Sequence, residues 1–190
     1  MAQKWKSVKQ IRDEYFDTGT ISPISMAQLR EYLKGDNEDE LSRAIDLVTD
    51  ASLMNLVPLM AQHLDHEDWY IRELLIGNLL GILCLPEYAE KGLDMIEHDE
   101  DPGVRDLALS NIGAVINKIE DKELKKKIAQ KLIDVLYSET EDHLTRSASY
   151  VSILKDLEVP AIKRPDIDLI IGKDYPIDEE KIEEFKKRYL

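Results

Sequence analysis

The chain has 190 residues, of which 39 are Asp or Glu and 25 are Lys or Arg, giving a formal charge of −14. The length fits one domain with at most a small appendage, and an apolar content of 43% excludes wholesale disorder. A chain this acidic repels nucleic acid and anionic lipid at long range, so neither is an expected direct partner.

The one cysteine, Cys84, excludes an intramolecular disulfide and fits a reducing, cytoplasmic setting. Residues Met1–Lys6 do not open a signal peptide. No apolar run reaches the roughly 20 residues a membrane span needs.

In chain order, Trp5, Val8, Ile11 and Tyr15 recur at helical steps and predict an N-terminal cap helix within residues 1–20, over Trp5–Phe16. Leu41–Val48 carries a narrow apolar stripe. Ile71–Leu85 is apolar nearly all round (Leu74, Leu75, Ile76, Leu79, Leu80, Ile82, Leu83), which suits a buried helix and places Cys84 in the core. Val104, Leu107, Ala108, Ile112, Val115 and Ile116, then Ile128, Leu132, Val135 and Leu136, continue the helical period. With Leu, Ile, Glu, Lys and Ala abundant and no alternating run before residue 160, the fold class is all-α.

One short pattern recurs. Asp101-Pro-Gly-Val-Arg105 parallels Asp68-Trp-Tyr-Ile-Arg72, and weaker copies stand at Asp39/Arg43 and Asp142/Arg146. The arginines are 29, 33 and 41 residues apart, which describes related helix pairs with loops of varying length. These residues resemble the HEAT-repeat family over about residues 25–155. Pro58 matches its first-helix proline, Asp101–Arg105 its turn, and Asp68/Arg72 its Asp and Arg positions, while Ser42 and Thr145 replace the branched residue before Arg. The resemblance implies an α-solenoid of about four helix pairs and, for most of the family, protein binding. Stacked pairs bury a continuous core in which each pair touches only its neighbours.

After Pro160 and Pro165, Asp166–Ile171 reads as extended, and a final helix follows Pro176 with Ile182, Phe185 and Tyr189 on one face. Residues 160–190 are then either a cap on the last pair or a strand donated to a partner or a second copy.

Catalytic signatures are few. The eight glycines form no phosphate-binding loop, no nucleophile elbow is present, and Cys84 has no nearby His. His63, His66 and Glu67 place two imidazoles and a carboxylate near one helix end, and His98-Asp99 partly echoes them. An iron-binding hydroxylase branch of the HEAT family uses several His-Glu pairs; one true pair is too few ligands, so no metal or cofactor is expected. A DNA glycosylase branch needs a basic groove. Here the basic clusters Lys122–Lys131 and Lys186–Arg188 are interleaved with Glu120, Asp121, Glu123, Glu183 and Glu184 and read as solvated helix faces.

The distinctive feature is the acid in the turns between first and second helices: Asp36–Glu40, Asp65–Asp68, Glu97–Asp101 and Glu139–Asp142. In a stacked solenoid these turns would line up as one acidic ridge. Helix capping by Asp39, Asp68, Asp101 and Asp142 accounts for about one acid per turn, and the remainder leaves a basic ligand or plain solubility as its explanation. The expected function is non-catalytic binding of a basic protein, as by an immunity or inhibitor protein that neutralises a nuclease toxin. The expected site is Trp69 and Tyr70 as anchors with Asp36, Glu38, Glu40, Asp65, Glu67, Asp68, Asp99, Glu100, Glu139 and Glu141. Arg72, Arg105 and Arg146 are assigned to structure. A HEAT-like enzyme (metal-dependent hydroxylase, chromophore lyase or glycosylase) and a homo-oligomeric scaffold are the alternatives.

Overall fold

Among the described residues, eight of ten α-helices begin at a residue whose side chain accepts a hydrogen bond from the first turn, the local code for a helix start. The computed structural model describes residues 5–166 and 169–190, and among them the regular structure is helical with no strand. The α-helices are α1 (Val8–Thr18), α2 (Pro23–Tyr32), α3 (Glu38–Asp50), α4 (Val57–Met60), α5 (Trp69–Ile76), α6 (Ala89–His98), α7 (Pro102–Ile112), α8 (Lys122–Leu136), α9 (His143–Asp156) and α10 (Glu179–Tyr189). Among the described residues no helix is long and apolar enough to cross a membrane. The chain divides into two compact units, 1–78 and 79–190.

In the first unit α1 packs on α2 and α3, α2 on α3, and α3 on α5. Ile11, Leu29, Leu41, Ile45, Met60 and Leu75 are fully buried there. The cap helix starts later than the apolar spacing suggests. A Ser7–Gln10 capping box opens it at Val8, so Trp5 lies outside the helix, 55% exposed, with its indole donating to Tyr32 Oη at 2.7 Å. Glu14 ties α1 to the start of α2: it accepts from Lys6 Nζ at 2.8 Å, from Ser25 Oγ and from the Ser22 N–H at 2.9 Å. The lysine contact and these hydrogen bonds hold its carboxyl down at about 2. The first helix of the next pair is short pieces, a 3-10 turn at Met54–Leu56, then α4, then a 3-10 turn at Ala61–His63. Pro58 sits in α4, where a missing N–H costs least.

In the second unit α6 packs on α7, α8 on α9 and α7 on α9. The α7–α9 approach is close because Gly113 follows α7: its N–H donates to Ser152 Oγ at 2.8 Å, and a Cβ there would lie 1.9 Å from the Ser152 carbonyl oxygen. The apolar run Ile71–Leu85 is not one α-helix. A π-helical segment, Gly77–Ile82, follows α5, Ile82 is 67% exposed, and Cys84 closes the run in the left-handed region at φ 52° with the Leu85 N–H on Leu79 O. Cys84 is therefore a partly exposed helix-end residue rather than core. That reverses the expectation from its apolar neighbours, since hydropathy does not report where a helix unwinds.

Ile182 and Phe185 are fully buried as α10 packs on α8 and α9. The Tyr189 hydroxyl donates to buried Asp156 at 2.7 Å, the Tyr137 hydroxyl to Glu179 at 2.7 Å, and the Asp178 N–H to Tyr150 Oη at 2.9 Å. Of the stretch expected to be extended, Ile167 and Asp168 lie outside the described residues. Beyond them Ile171 forms an isolated bridge with Tyr175 across Gly172, whose φ of 86° suits glycine.

Candidate partner-binding surface

Two of the acidic turns share one hydrogen-bond pattern. In the first unit Asp68 caps α5 by accepting from the Tyr70 N–H at 2.9 Å, its own N–H donates to His66 Nδ1 at 3.0 Å, and Arg72 donates to the carbonyls of His66 at 2.8 Å and Glu67 at 3.1 Å. In the second unit Asp101 caps α7 by accepting from Gly103 and Val104, its N–H donates to Asp99 Oδ1 at 3.0 Å, and Arg105 donates to the carbonyls of Asp99 at 2.7 Å and Glu100 at 3.2 Å. The arginine one helical turn past the cap satisfies two carbonyls that the chain reversal leaves without partners. Arg146 serves its turn differently, donating from Nε to Leu136 O at 3.0 Å.

The copy at Asp39/Arg43 departs from this pattern. The N-cap of α3 is Asn37, which accepts from the Glu40 N–H at 3.0 Å, so Asp39 is a first-turn residue and not the cap. Asn37 captures the role because an Asx side chain two residues earlier already satisfies the donor. Arg43 is then out of register with Arg72 and lies exposed on α3.

Of the expected site residues, Asp36, Glu38, Asp65, Glu67, Glu100, Glu139 and Glu141 are exposed. Glu40 is half-buried and accepts from the Val8 N–H at 3.4 Å, while Asp68 and Asp99 are half-buried and engaged by the turns. Asp142 accepts from the N–H groups of Leu144 and Thr145, and the Thr145 bond holds its carboxyl below the usual range. Trp69 and Tyr70 open α5 with 49% and 47% of their surface exposed, their rings edge-to-face at 6.1 Å.

Within each unit the two turns are brought together. His63 Nε2 bonds Leu33 O at 2.6 Å, joining the ends of the two first helices beside Asp36 and Asp65. In the second unit a small cleft is lined by Arg105, Asp106, Lys131, Glu141, Asp142 and Thr145, and Thr145 Oγ1 donates to Asp106 at 2.8 Å. Burial raises the Asp106 carboxyl above its ordinary range, with Asp142 and Glu141 adding to the rise and the Thr145 bond opposing it. The sequence pattern gave no sign of Asp106, because its part in the turn depends on α9 lying beside α7.

His63 and His66, 6.0 Å apart between ring centroids, are both occupied by main-chain groups. Among the described residues no group of three or more His, Cys, Asp or Glu side chains is placed to hold a metal ion. In the basic cluster Lys122–Lys131, Lys125 donates to Asn117 O rather than to an acid.

Comparison of the chain with family models, curated proteins and solved structures found no match.

Proposed function

We propose that the helix pairs belong to a HEAT-like α-solenoid whose work is non-catalytic binding of a basic protein, of the kind performed by an immunity or inhibitor protein that masks a nuclease toxin. The observation that carries this reading is the pairing of Trp69 and Tyr70, about half exposed, with the rigidly held acidic turn Asp65–Asp68. Exposed aromatics at a fixed helix end lose little conformational entropy on binding and are the usual anchors of an interface. Carboxylates around them steer a cationic partner and speed its capture. Asp68 serves the cap and Arg72 the turn, so Trp69, Tyr70 and Glu67 are the residues whose exposure has no structural use.

The test is capture from native lysate by the immobilised chain at about 50 and about 300 mM salt, where screening lengths straddle 10 Å. Wild type is compared with Trp69→Ala/Tyr70→Ala and with Glu67→Lys. A basic protein retained at low salt, lost at high salt and lost in both variants is the expected result. Retention of the same proteins by wild type and variants alike would show that the surface is wrong.

A further inference from the structure

A second surface in the first unit carries the opposite charge. Lys9, Arg12, Asp13 and Phe16 lie at steps of three and four along α1 and, with Arg43 of α3 and the buried Val8 beneath, line an open groove of about 520 Å³. Phe16 is 61% exposed, with the Arg12 guanidinium 5.4 Å from its ring centroid. Arg12 is answered by Asp50 at 2.9 Å. Among the described residues Lys9 and Arg43 make no hydrogen bond or ion pair. Two unanswered cations flanking an exposed aromatic, in a chain of charge −14, run against the composition of the whole.

We propose that this groove binds a short acidic segment of a protein partner, with its carboxylates on Lys9 and Arg43 and an apolar side chain against Phe16. Four features select that occupant. The charge complementarity is local and two-pronged, one cation on each helix, which suits carboxylates spaced along a chain rather than a single compact ion. Arg43 presents a planar fork of donors that fits a carboxylate. Asp13 in the same wall can accept from a peptide N–H, a donor that a chain segment supplies alongside its carboxylates. The groove is open at its sides, as a bound chain segment requires, where a small molecule would be enclosed over most of its surface. Glu40 of the first acidic turn reaches the rim of this groove through the Val8 N–H, but the proposal does not depend on the reading given to the acidic turns.

The full chain is titrated with a fluorescein-labelled octapeptide alternating glutamate with leucine and phenylalanine, reading anisotropy at about 50 mM salt. Binding is expected to be saturable and to weaken about fivefold in each of Lys9→Gln and Arg43→Gln, the scale of one exposed ion pair. Loss in Phe16→Ala is expected, as is a switch of preference to the lysine-for-glutamate peptide in Lys9→Glu/Arg43→Glu. Glu67→Lys, in the acidic turn, should change the affinity by less than about twofold, since its charge is screened. Circular dichroism confirms that each variant is folded, and the neutral glutamine variants carry the test if charge reversal unfolds the unit. The proposal is overturned if the peptide does not saturate by about 1 mM, or if the glutamine variants bind it as tightly as wild type. It is equally overturned if inorganic phosphate binds through Lys9 and Arg43 while the peptide does not.

Discussion

Replacing Gly113 by alanine sets two physical effects against each other, and the sign of the result decides between them. Gly113 has φ −61° and ψ −25°, ordinary helical values, so backbone preference alone predicts that alanine stabilises the chain by up to about 1 kcal/mol. The packing predicts the reverse. A Cβ at this position lies 1.9 Å from Ser152 O, 2.6 Å from its carbonyl carbon and 2.7 Å from its Oγ, where real Cβ atoms do not come within 3.0 Å. Two of those atoms are main chain, so no rotamer change relieves the contact, and α7 must move from α9 by more than an ångström. Overpacking of this kind costs about 1–3 kcal/mol, and separating the Gly113 N–H from Ser152 Oγ strands a buried donor at about 1–3 kcal/mol more. The expected net loss is about 1–5 kcal/mol, a large part of a typical domain's stability. Urea unfolding followed by circular dichroism reads it as a midpoint lowered by about 0.5 M or more. Gly35→Ala is the control: its Cβ would meet only Glu31 O and Tyr32 O at 3.6 Å, ordinary contact. Because the worst contacts are main chain, adding Ser152→Ala does not rescue Gly113→Ala. A stabilised or unchanged Gly113→Ala chain would refute the close approach of α7 to α9.

Three other outcomes are expected. Asp101→Ala, which removes the α7 cap, should cost about 1 kcal/mol in the same unfolding assay, whereas Asp39→Ala should cost less than about 0.5 kcal/mol because Asn37 holds the cap of α3. The Glu14 carboxyl is held at about 2 against 4.5 when unfolded, so its stabilisation is complete above pH 4.5 and lost as pH falls towards 2; Glu14→Gln should remove about 2 kcal/mol near neutrality, with the half-exposed Lys6 discounted, and flatten the acid limb of the stability profile. Burial lowers the Lys155 amine to about 8 from 10.5, so between those values the unfolded chain binds more protons and stability rises with pH; the gain from pH 7.5 to 10, measured as a urea midpoint, should be larger in wild type than in Lys155→Met.

The helix starts were the most legible part of the fold. Asp68, Asp101 and Asp142 cap α5, α7 and α9 as their spacing from Arg72, Arg105 and Arg146 suggests, because capping is decided within four residues. Asp39 was misread for the same reason: the arginine register pointed to it, but the nearer Asn37 is the better-placed acceptor. Helix ends were harder to read. The apolar run to Leu85 carries no glycine or proline at Cys84, yet the chain turns there at φ 52°, and Ser52 and Glu158 do the same at φ 49° and 56°. A left-handed residue other than glycine leaves little trace in hydropathy. Of the candidate surface, Trp69 and Tyr70 were legible as exposed aromatics beside acid, since a polar turn flanks them. The groove was not. Phe16 enters the sequence reading only as the end of the cap helix, and only the approach of α3 sets Arg43 beside it.

Much of the chain's charge is accounted for by helix ends. In the second unit acids stand at helix starts, with Asp101, Asp121, Asp142 and Asp178 as caps. Cations there answer carbonyls at the other ends: Lys118 on Cys84 O, Lys155 on Ser110 O, Arg164 on Val159 O and Arg188 on Asp156 O. Both arrangements complement the helix dipole and satisfy main-chain groups that the helix itself leaves open. The same reasoning absorbs Glu38, Asp39 and Glu40 into the first turn of α3. It does not absorb Asp36, Glu67, Glu97, Glu139 or Glu141, which lie outside any first turn, and Glu97 stands in the last turns of α6, where the dipole opposes it. Nor does it absorb Lys9, which sits near the start of α1, the end that disfavours a cation. Within the first unit, Glu67 beside exposed Trp69 and Tyr70 and Lys9 beside exposed Phe16 are where a binding partner has the most to gain, because exposed aromatics and charges with no bonds of their own are the cheapest groups to engage.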